Sequence, residues 1–333
     1  MIQRIVITVK KTNKFMVMLA CLLAFSLFMT GCGNSSSKSE KDGEKIVRIG
    51  YQKNGPLYIV KSLGSLDEKL KEKGYKVEWK EFQDGPALLE ALNAGSIDFG
   101  RTGNTPPIFS QASGSDLRYV AAGTSKYEGS GILVQNDSSI QTLNDLKGKK
   151  VAFSKGSSAH YLIIMALEKA GLSLDDIEPV YLTPGNARIA FEQGQVDAWA
   201  VWDPYTSSTE VNANARLLVN GEGLTTDRDF FVASKEFAND HQEVIDTLLK
   251  EISDSMDWAN NNHQDLINLL SKALKMDTES VTKAVERRVY GVEEITNEIV
   301  GEQQEIADLF YKLDIIPKKI SVEEAVMEVK NGE

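Results

Sequence analysis

Residues 87–100 read ALLEALNAGSIDFG, and residues 186–199, ninety-nine positions later, read NARIAFEQGQVDAW. In both stretches a segment with helical spacing of apolar residues ends at a glycine, Gly95 or Gly194, where the left-handed conformation of a helix C-cap costs least. Each glycine is followed at the same offset by a β-branched residue and then by an aspartate. This repeat indicates that one unit of helix, turn and strand is built twice.

The aspartates of the repeat, Asp98 and Asp197, are expected to satisfy backbone groups at a turn or helix end rather than to contact a ligand, because they recur symmetrically. A looser repeat relates residues 47–59 to residues 151–163. Trp199 alternates with alanines on a predicted strand and is expected in the core. The sequence thus predicts one lobe duplicated.

Short β-branched or aromatic runs alternate with helical patterns along most of the chain, which indicates an α/β fold with largely parallel sheets. Beyond Ser234 the pattern becomes helical. The predicted strands span residues 46–50, 77–82, 97–100, 119–123, 131–135, 151–154, 180–183, 196–201 and 230–234.

The two copies contribute four strand-to-helix junctions. In open α/β sheets such junctions lie at the carboxyl ends of the strands, where ligands bind. A helix start also offers unpaired backbone N–H groups and a partial positive charge, which suit an anion. The junctions span residues 51–56, 102–106, 155–160 and 202–205, with Asn104, Asp203, Ser157 and Ser158 as candidate N-caps.

The N-terminus has the three parts of a signal peptide. Four basic residues precede an apolar run over residues 15–29, which is short for a membrane span of about 20 residues. Residues 29–32, MTGC, resemble the lipobox of bacterial lipoproteins. That resemblance implies cleavage after residue 31 and acylation of Cys32, with palmitate. Residues 32–45, polar and poor in apolar side chains, are predicted to form a flexible tether.

Composition argues against several functional classes. The only other cysteine, Cys21, lies in the predicted signal peptide, so the mature chain has no disulfide and no thiol nucleophile. Removal of residues 1–31 takes away four positive and no negative charges, changing the formal net charge from −11 to about −15. A strongly acidic domain is a poor partner for nucleic acid. The remaining length of about 300 residues suits two compact lobes.

Four ordered motifs suggest a family. Together they resemble the alkanesulfonate-binding proteins of ATP-driven importers, relatives of the taurine- and nitrate-binding proteins. The motifs are GYQK at residues 50–53, GSIDFGRTGNTPP at 95–107, KGSSAHYL at 155–162 and DAWAVWDPY at 197–205.

The resemblance implies a two-lobed, type II periplasmic-binding fold with the ligand cleft between the lobes. It places chain crossings near residues 131–135 and 225–233. The lobes it implies are residues 46–131 for the first part of lobe I, 132–226 for lobe II, and 227–333 for the remainder of lobe I and the C-terminal helices.

The implied function is capture of an aliphatic sulfonate for uptake as a sulfur source, without catalysis, metal or cofactor. A sulfonate stays ionised and presents weakly basic oxygens, for which neutral donors suffice. Trp202, with Tyr205, would flank the carbon chain. The expected ligand-binding residues are Gln52, Thr102, Gly103, Asn104, Thr105, Gly156, Ser157, Ser158, His160, Trp202 and Asp203.

Several of these positions have a second interpretation. His160 either donates to the ligand or packs, and Trp202 either belongs to the core or lines the site. Lys53 and Lys155 either steer an anion or are ordinary solvated charges. Tyr51 either lines the cleft or packs beneath it.

Other ligands and classes remain open at this point. Taurine would bring an ammonium group, for which Asp203 is a candidate partner, and nitrate would make little use of Trp202. A thiamine-precursor pyrimidine is a further alternative, because the fold resembles enzymes that make this pyrimidine. Those enzymes carry a cysteine cluster that this chain lacks, and no nucleotide or hydrolase motif is present.

The partners expected from the resemblance are a permease, an ATPase and, through the lipid, the extracytoplasmic face of the cell membrane. The mature chain has no sustained heptads and is predicted to be a monomer.

Overall fold

A computed structural model describes residues 45–53 and 55–327. The predicted signal peptide and Cys32 lie outside these residues, as does the predicted tether except for Lys45, with which the first strand begins. None of the helices within the described ranges is both long enough and apolar enough to cross a membrane. The described residues belong to a single compact unit.

The strands fall into two sheets. They are β1 (Lys45–Tyr51), β2 (Tyr75–Glu81), β3 (Phe99–Gly103), β4 (Leu117–Gly123), β5 (Ser130–Gln135), β6 (Lys150–Phe153), β7 (Glu178–Tyr181), β8 (Ala198–Trp202), β9 (Ala215–Asn220), β10 (Asp229–Ser234) and β11 (Val292–Glu293).

Helices cover the faces of both sheets. They are α1 (Pro56–Leu63), α2 (Ser65–Glu72), α3 (Gly85–Asn93), α4 (Thr105–Ala112), α5 (Ser158–Lys169), α6 (Pro184–Glu192), α7 (Tyr205–Asn212), α8 (Lys235–Asp240), α9 (Gln242–Asn261), α10 (His263–Leu274), α11 (Thr278–Glu286) and α12 (Asn297–Lys312).

The first sheet has the order β11-β4-β10-β3-β1-β2, and the second has the order β7-β6-β8-β5-β9. In the first, β1 pairs in parallel with β2 and β3, while β10 runs antiparallel to β3 and β4. In the second, β6 pairs in parallel with β7 and β8, while β5 runs antiparallel to β8 and β9. The α/β prediction is confirmed, but both sheets are mixed rather than largely parallel, because β5 and β10 each enter from the other sheet.

The internal repeat is present in the structure. The order β2-β1-β3 in one sheet matches β7-β6-β8 in the other. Asp98 accepts a hydrogen bond of 2.7 Å from the backbone N–H of Arg48, and Asp197 accepts one of 2.8 Å from that of Lys150. The structural role predicted for both aspartates is therefore confirmed. Trp199 is 1% exposed, as expected of a core residue.

The chain passes between the sheets twice, over residues 124–129 and 221–228. The first predicted lobe boundary, between residues 131 and 132, falls inside β5, so that Ser130 and Gly131 pair in the second sheet. The second, between 226 and 227, falls within the passage. Since β5 and β10 directly follow these passages, the sheets are connected close to their antiparallel strands.

Each sheet is buried between apolar clusters. One face of the first sheet packs on α1, α9 and α10 through residues such as Leu57 and Leu248, and the other packs on α3, α4 and α12 through residues such as Leu88 and Phe310. The second sheet packs on α5 and α6. Burial of each such side chain contributes roughly 1.5–3 kcal/mol. The sheets are thereby held rigid, and their carboxyl ends remain uncovered.

Candidate functional site

The carboxyl ends of the two sheets face each other, and four strand-to-helix junctions meet there. A Cβ added to Gly103, at the end of β3, would overlap the Oγ of Ser158, at the start of α5. The Ser154 hydroxyl, which follows β6, donates a hydrogen bond of 3.3 Å to Asp84, which caps α3. The candidate site is therefore built jointly by both sheets.

A narrow cavity, here called the inner pocket, lies at this meeting point. Six predicted site residues line it together with side chains that the sequence analysis did not select. The predicted ones are Gln52, Thr102, Gly103, Ser157, Ser158 and Trp202, and the others are Gly85, Arg101, Pro106, Lys126 and Asp227. The prediction of converging junctions thus selected about half of the lining.

The inner pocket has a volume of only about 20 Å³. This is room for about one water molecule. Because Ser157 and Ser158 belong to one sheet's junctions and Thr102 and Gly103 to the other's, separation of the sheets widens the pocket directly. An oxyanion therefore requires a small opening motion before it enters.

Arg101 is the principal residue that the sequence analysis missed. It lies on β3, is 5% exposed, and donates a hydrogen bond of 2.9 Å from Nη1 to Oε1 of Gln52. Its Nη2 pairs with Asp229. The Nε of Arg101 and the hydroxyl of Thr102 are buried and find no hydrogen-bond partner among the described residues. The sequence does contain a signal for Arg101, because a charged residue inside an otherwise apolar strand is almost never buried unless it is paired.

Arg101 belongs to a buried ion cluster, defined here as Arg101, Lys126, Asp227, Asp229 and Arg288. Lys126 Nζ lies 2.5 Å from Asp227 Oδ2, and Arg288 Nη2 lies 2.6 Å from Asp229 Oδ2. Burial alone would raise the pKa of Asp229, but the charges of Arg101, Lys126 and Arg288 lower this pKa to about 2. Three cations face two carboxylates, so the cluster has one positive charge in excess within an acidic protein. This excess favours an anionic ligand.

Asp203 lines an adjoining cavity with Trp202 and Arg287 rather than the inner pocket. Its Oδ1 accepts a hydrogen bond of 2.8 Å from the backbone N–H of Ser207, and its Oδ2 lies 3.8 Å from Nη1 of Arg287. Burial raises the pKa of Asp203 to about 6, against the opposing charge of Arg287. Its carboxylate is thus engaged at the start of α7, although Pro204 occupies the N-cap position.

Asn104 and Thr105 do not line the inner pocket; both are buried in the first lobe. The Asn104 carbonyl accepts a hydrogen bond of 2.5 Å from Gln303, and its side chain accepts one of 3.2 Å from the Thr105 hydroxyl. Neither Asn104 nor Ser157 caps its helix with a side chain, contrary to the expectation for these positions. Asn104 instead connects α4 to α12.

Gly156 and His160 also lie outside the inner pocket. The N–H of Gly156 donates to Nδ1 of His160 at 3.3 Å, and the His160 ring stacks on Phe153 at 5.1 Å between centroids. Phe109 and Phe310 lie within 6.2 Å and 5.6 Å of the same ring. These surroundings agree with the interpretation of His160 as a packed side chain rather than as a donor to the ligand. Burial, and then the charge of Lys155, lower its pKa to about 4.

The other residues that had two interpretations lie at different distances from the inner pocket. Tyr51 is buried in the core beneath the junction, and Trp202 is half-buried and lines the site while also contacting the second lobe's core. Lys155 lies 5.4 Å from the Tyr181 ring, away from the inner pocket. Lys53 lines a larger cavity that adjoins it.

That larger cavity, here called the outer pocket, has a volume of about 400 Å³. It shares Gln52 with the inner pocket and therefore adjoins it. Both lobes and the α10–α11 connection contribute. Its lining comprises Gln52, Lys53, Glu81, Phe82, Gln83, Gly185, Arg188, Pro204, Tyr205, Ser208, Leu274, Lys275 and Met276.

Within the described ranges, no three residues of the types His, Cys, Asp and Glu gather in a way that could hold a metal ion.

Comparison with known proteins gives concordant results. A family model described as NMT1/THI5 like matches residues 70–265. A protein of Escherichia coli (strain K12) named for binding aliphatic sulfonates is 38% identical over 318 residues, covering 95% of this chain and 97% of the relative. A protein of the same name in Bacillus subtilis (strain 168) is 35% identical over 310 residues, covering 92% and 93%.

A solved structure is also similar over both sheets. It is the alkanesulfonate-binding protein SsuA from Xanthomonas axonopodis pv. citri bound to MOPS, with a TM-score of 0.82 and 39% sequence identity. The match covers 86% of this chain and 98% of that chain. The predicted two-lobed periplasmic-binding fold is confirmed by this similarity.

Proposed function

The chain belongs to the NMT1/THI5-like family and, within it, to the aliphatic sulfonate-binding proteins, and from this premise we propose that it captures an alkanesulfonate for an ATP-driven importer. It is a binding protein and not an enzyme. The observation that carries the ligand assignment is the inner pocket, where donors from both lobes meet beside a buried cluster with excess positive charge.

Each part of the inner pocket has a role in this proposal. The sulfonate oxygens accept hydrogen bonds from Gln52, Thr102 and Ser158, and Arg101 supplies the charge that neutral donors lack. Hydrogen bonds in which both partners are charged are roughly twice as strong as neutral ones. Trp202 borders the carbon chain, for which an apolar wall is favourable.

Asp203 favours an alkanesulfonate over taurine. An ammonium group requires a carboxylate that is free to accept its protons. Asp203 already accepts from Ser207 and faces Arg287. Nitrate, which has no alkyl tail, would leave Trp202 and the outer pocket unused.

Capture is coupled to movement of the lobes. A ligand held by both lobes stabilises the closed state by its differential affinity for that state. A permease that distinguishes closed from open protein can then select loaded molecules. The partners in this proposal are a permease and an ATPase.

The cellular location follows from the N-terminus. The lipobox-like residues 29–32 support acylation of Cys32, and the polar residues after it support a tether on the extracytoplasmic face of the membrane. A monomer suits this arrangement, because one tethered copy provides a complete cleft. Mass spectrometry of the N-terminal peptide tests acylation, and a peptide without lipid at Cys32 refutes it.

Calorimetric titration of the purified protein with ethanesulfonate, taurine, nitrate and a thiamine-precursor pyrimidine tests the ligand assignment. We expect ethanesulfonate to bind with a Kd around micromolar or below, about −8 kcal/mol or better. Binding of nitrate or the pyrimidine without any sulfonate would contradict the assignment.

A further inference from the structure

The outer pocket carries cationic side chains from three separate elements. Lys53 follows β1 in the first lobe, Arg188 lies on α6 in the second, and Lys275 lies in the connection between α10 and α11. Glu81 is the single acidic residue in the lining. A positive rim on a chain of formal net charge −11 is a local departure from the overall charge.

Nearby carboxylates neutralise this rim only in part. Lys53 Nζ lies 3.2 Å from Glu81, and Arg188 Nε lies 2.7 Å from Glu192. Lys275 has no ion pair among the described residues. In the lining itself three cationic side chains face a single carboxylate, Glu81. The sign of this excess is the same as that of the buried ion cluster deeper in the cleft.

Lys275 has an unusual backbone conformation. It ends α10 with φ 55°, in the left-handed region, where glycine or asparagine is the ordinary choice. Asn212 of α7 fixes the following turn by donating hydrogen bonds to Asp277 at 2.9 Å and Ser280 at 3.0 Å. A lysine is therefore held at the rim despite a conformation that disfavours it.

Tyr205 marks where these charges converge. Burial raises the pKa of its hydroxyl, and the charge of Arg188, from the same lobe, lowers it. The charge of Asp84 raises this pKa, and that of Lys53, from the other lobe, lowers it. The hydroxyl makes no hydrogen bond to the described residues and borders the outer pocket. Gln52 lines both pockets, so a ligand tail that leaves the inner pocket past Gln52 enters the cavity that Tyr205 borders.

Resting on the proposed function, we propose that the preferred ligand is a sulfonate whose tail ends in a second anionic group, such as a carboxylate. The sulfonate occupies the inner pocket. The carboxylate lies in the outer pocket, where it accepts from the Tyr205 hydroxyl and Arg188 and pairs with Lys275. Charge-assisted bonds of this kind discriminate strongly against a neutral group of the same shape.

Calorimetry with a matched pair of ligands tests this inference. 3-Sulfopropanoate and 3-sulfopropanamide have nearly the same shape and differ in the charge of the tail. We expect the carboxylate to bind roughly tenfold more tightly at low salt, with the ratio falling as salt is raised. Equal affinities would overturn the inference, while binding of the amide would leave the proposed function intact.

A double variant, Arg188→Met with Lys275→Met, locates the discrimination. We expect it to reduce the tenfold ratio to below about twofold. Lys169→Met is the control, because Lys169 is an exposed lysine at the opposite end of α5 from the cleft, and it should keep the ratio. A ratio retained in the double variant would overturn the inference. If neither ligand nor butanesulfonate bound the parent protein, the proposed function itself would fail.

Discussion

Arg101 shows how a single buried residue decides the chemistry of the cleft. Burial lowers its pKa from the usual value and the charge of Asp229 opposes this effect. An arginine side chain remains protonated in proteins, so Arg101 places a positive charge beside the inner pocket. Its contact with Gln52 connects the charge to the first junction. A cation held in this way is preorganised for an anion and pays little reorganisation on binding.

We expect Arg101→Met to weaken ethanesulfonate binding by roughly tenfold to a hundredfold, because a hydrogen bond to a charged group contributes about 1.5–3 kcal/mol. Arg101→Lys should recover part of the loss, since it keeps the charge without the planar fork. Calorimetry of both variants, with thermal unfolding to verify folding, checks this. Unchanged affinity in Arg101→Met would exclude Arg101 from ligand contact.

At the scale of elements, the repeated strand-to-helix unit explains why two aspartates occupy equivalent positions. Each connects the start of its own strand to the first strand of its repeat, β1 or β6, since the backbone N–H groups of Asp98 and Asp197 also donate to the Arg48 and Lys150 carbonyls at 2.8 Å. Asp98 makes additional contacts to the Arg48 guanidinium at 2.6 Å and 3.0 Å. The two aspartates thus make the same backbone contacts, and Asp98 contacts a charged side chain in addition.

We expect Asp98→Ala to lower the free energy of unfolding by about 1–3 kcal/mol, because it leaves the partly buried backbone donor of Arg48 unsatisfied, and Asp197→Ala to lower it by about 0.5–1.5 kcal/mol, because Asp197 and Lys150 are exposed and water replaces the lost acceptor. The loss should be slightly larger for Asp98→Ala. The ion pair between Asp98 and Arg48 contributes at most about 1 kcal/mol more, since Arg48 is partly exposed. Urea denaturation measures the stabilities. A tenfold loss of ethanesulfonate affinity in either folded variant would contradict the structural role.

At the scale of the whole molecule, the close approach of the lobes depends on a missing side chain. Gly103 leaves room for Ser158 from the other lobe, and a larger residue at position 103 has no space in the closed arrangement. Packed interiors transmit such steric conflicts rather than absorbing them. A single added Cβ meets chiefly the Ser158 hydroxyl, which can rotate away, but the further methyl groups of a valine would also meet Ser158 Cβ, 3.4 Å from the added Cβ, and separation of the lobes relieves this larger conflict.

We expect the parent to contract in X-ray scattering on saturation with ethanesulfonate, and we expect Gly103→Val to contract less and to bind ethanesulfonate at least about tenfold more weakly, as for a reduced closed population. Adding Ser158→Gly should return the scattering profile toward that of the parent. A Gly103→Val protein that contracts as far as the parent at saturating ethanesulfonate would refute the steric account.

Features that depend on residues close together in the chain could be predicted from the sequence. Apolar periodicity and glycine caps identified the α/β class and the duplicated unit, and four motifs identified the family. Six junction residues line the inner pocket because each lies at the end of a strand or at the start of the helix that follows it, a position that could be predicted from the sequence. They are Gln52, Thr102, Gly103, Ser157, Ser158 and Trp202.

Which charges and side chains come into contact depends on the tertiary structure. Arg101 and Asp229 are 128 positions apart, and Lys126 joins them from a passage between sheets. Asn104 and His160 turned into the lobes because Gln303 and Phe310, both on α12, contact them there. Local patterns carry no information on such long-range pairing, since it depends on which sheet each antiparallel strand joins and on where the C-terminal helices pack.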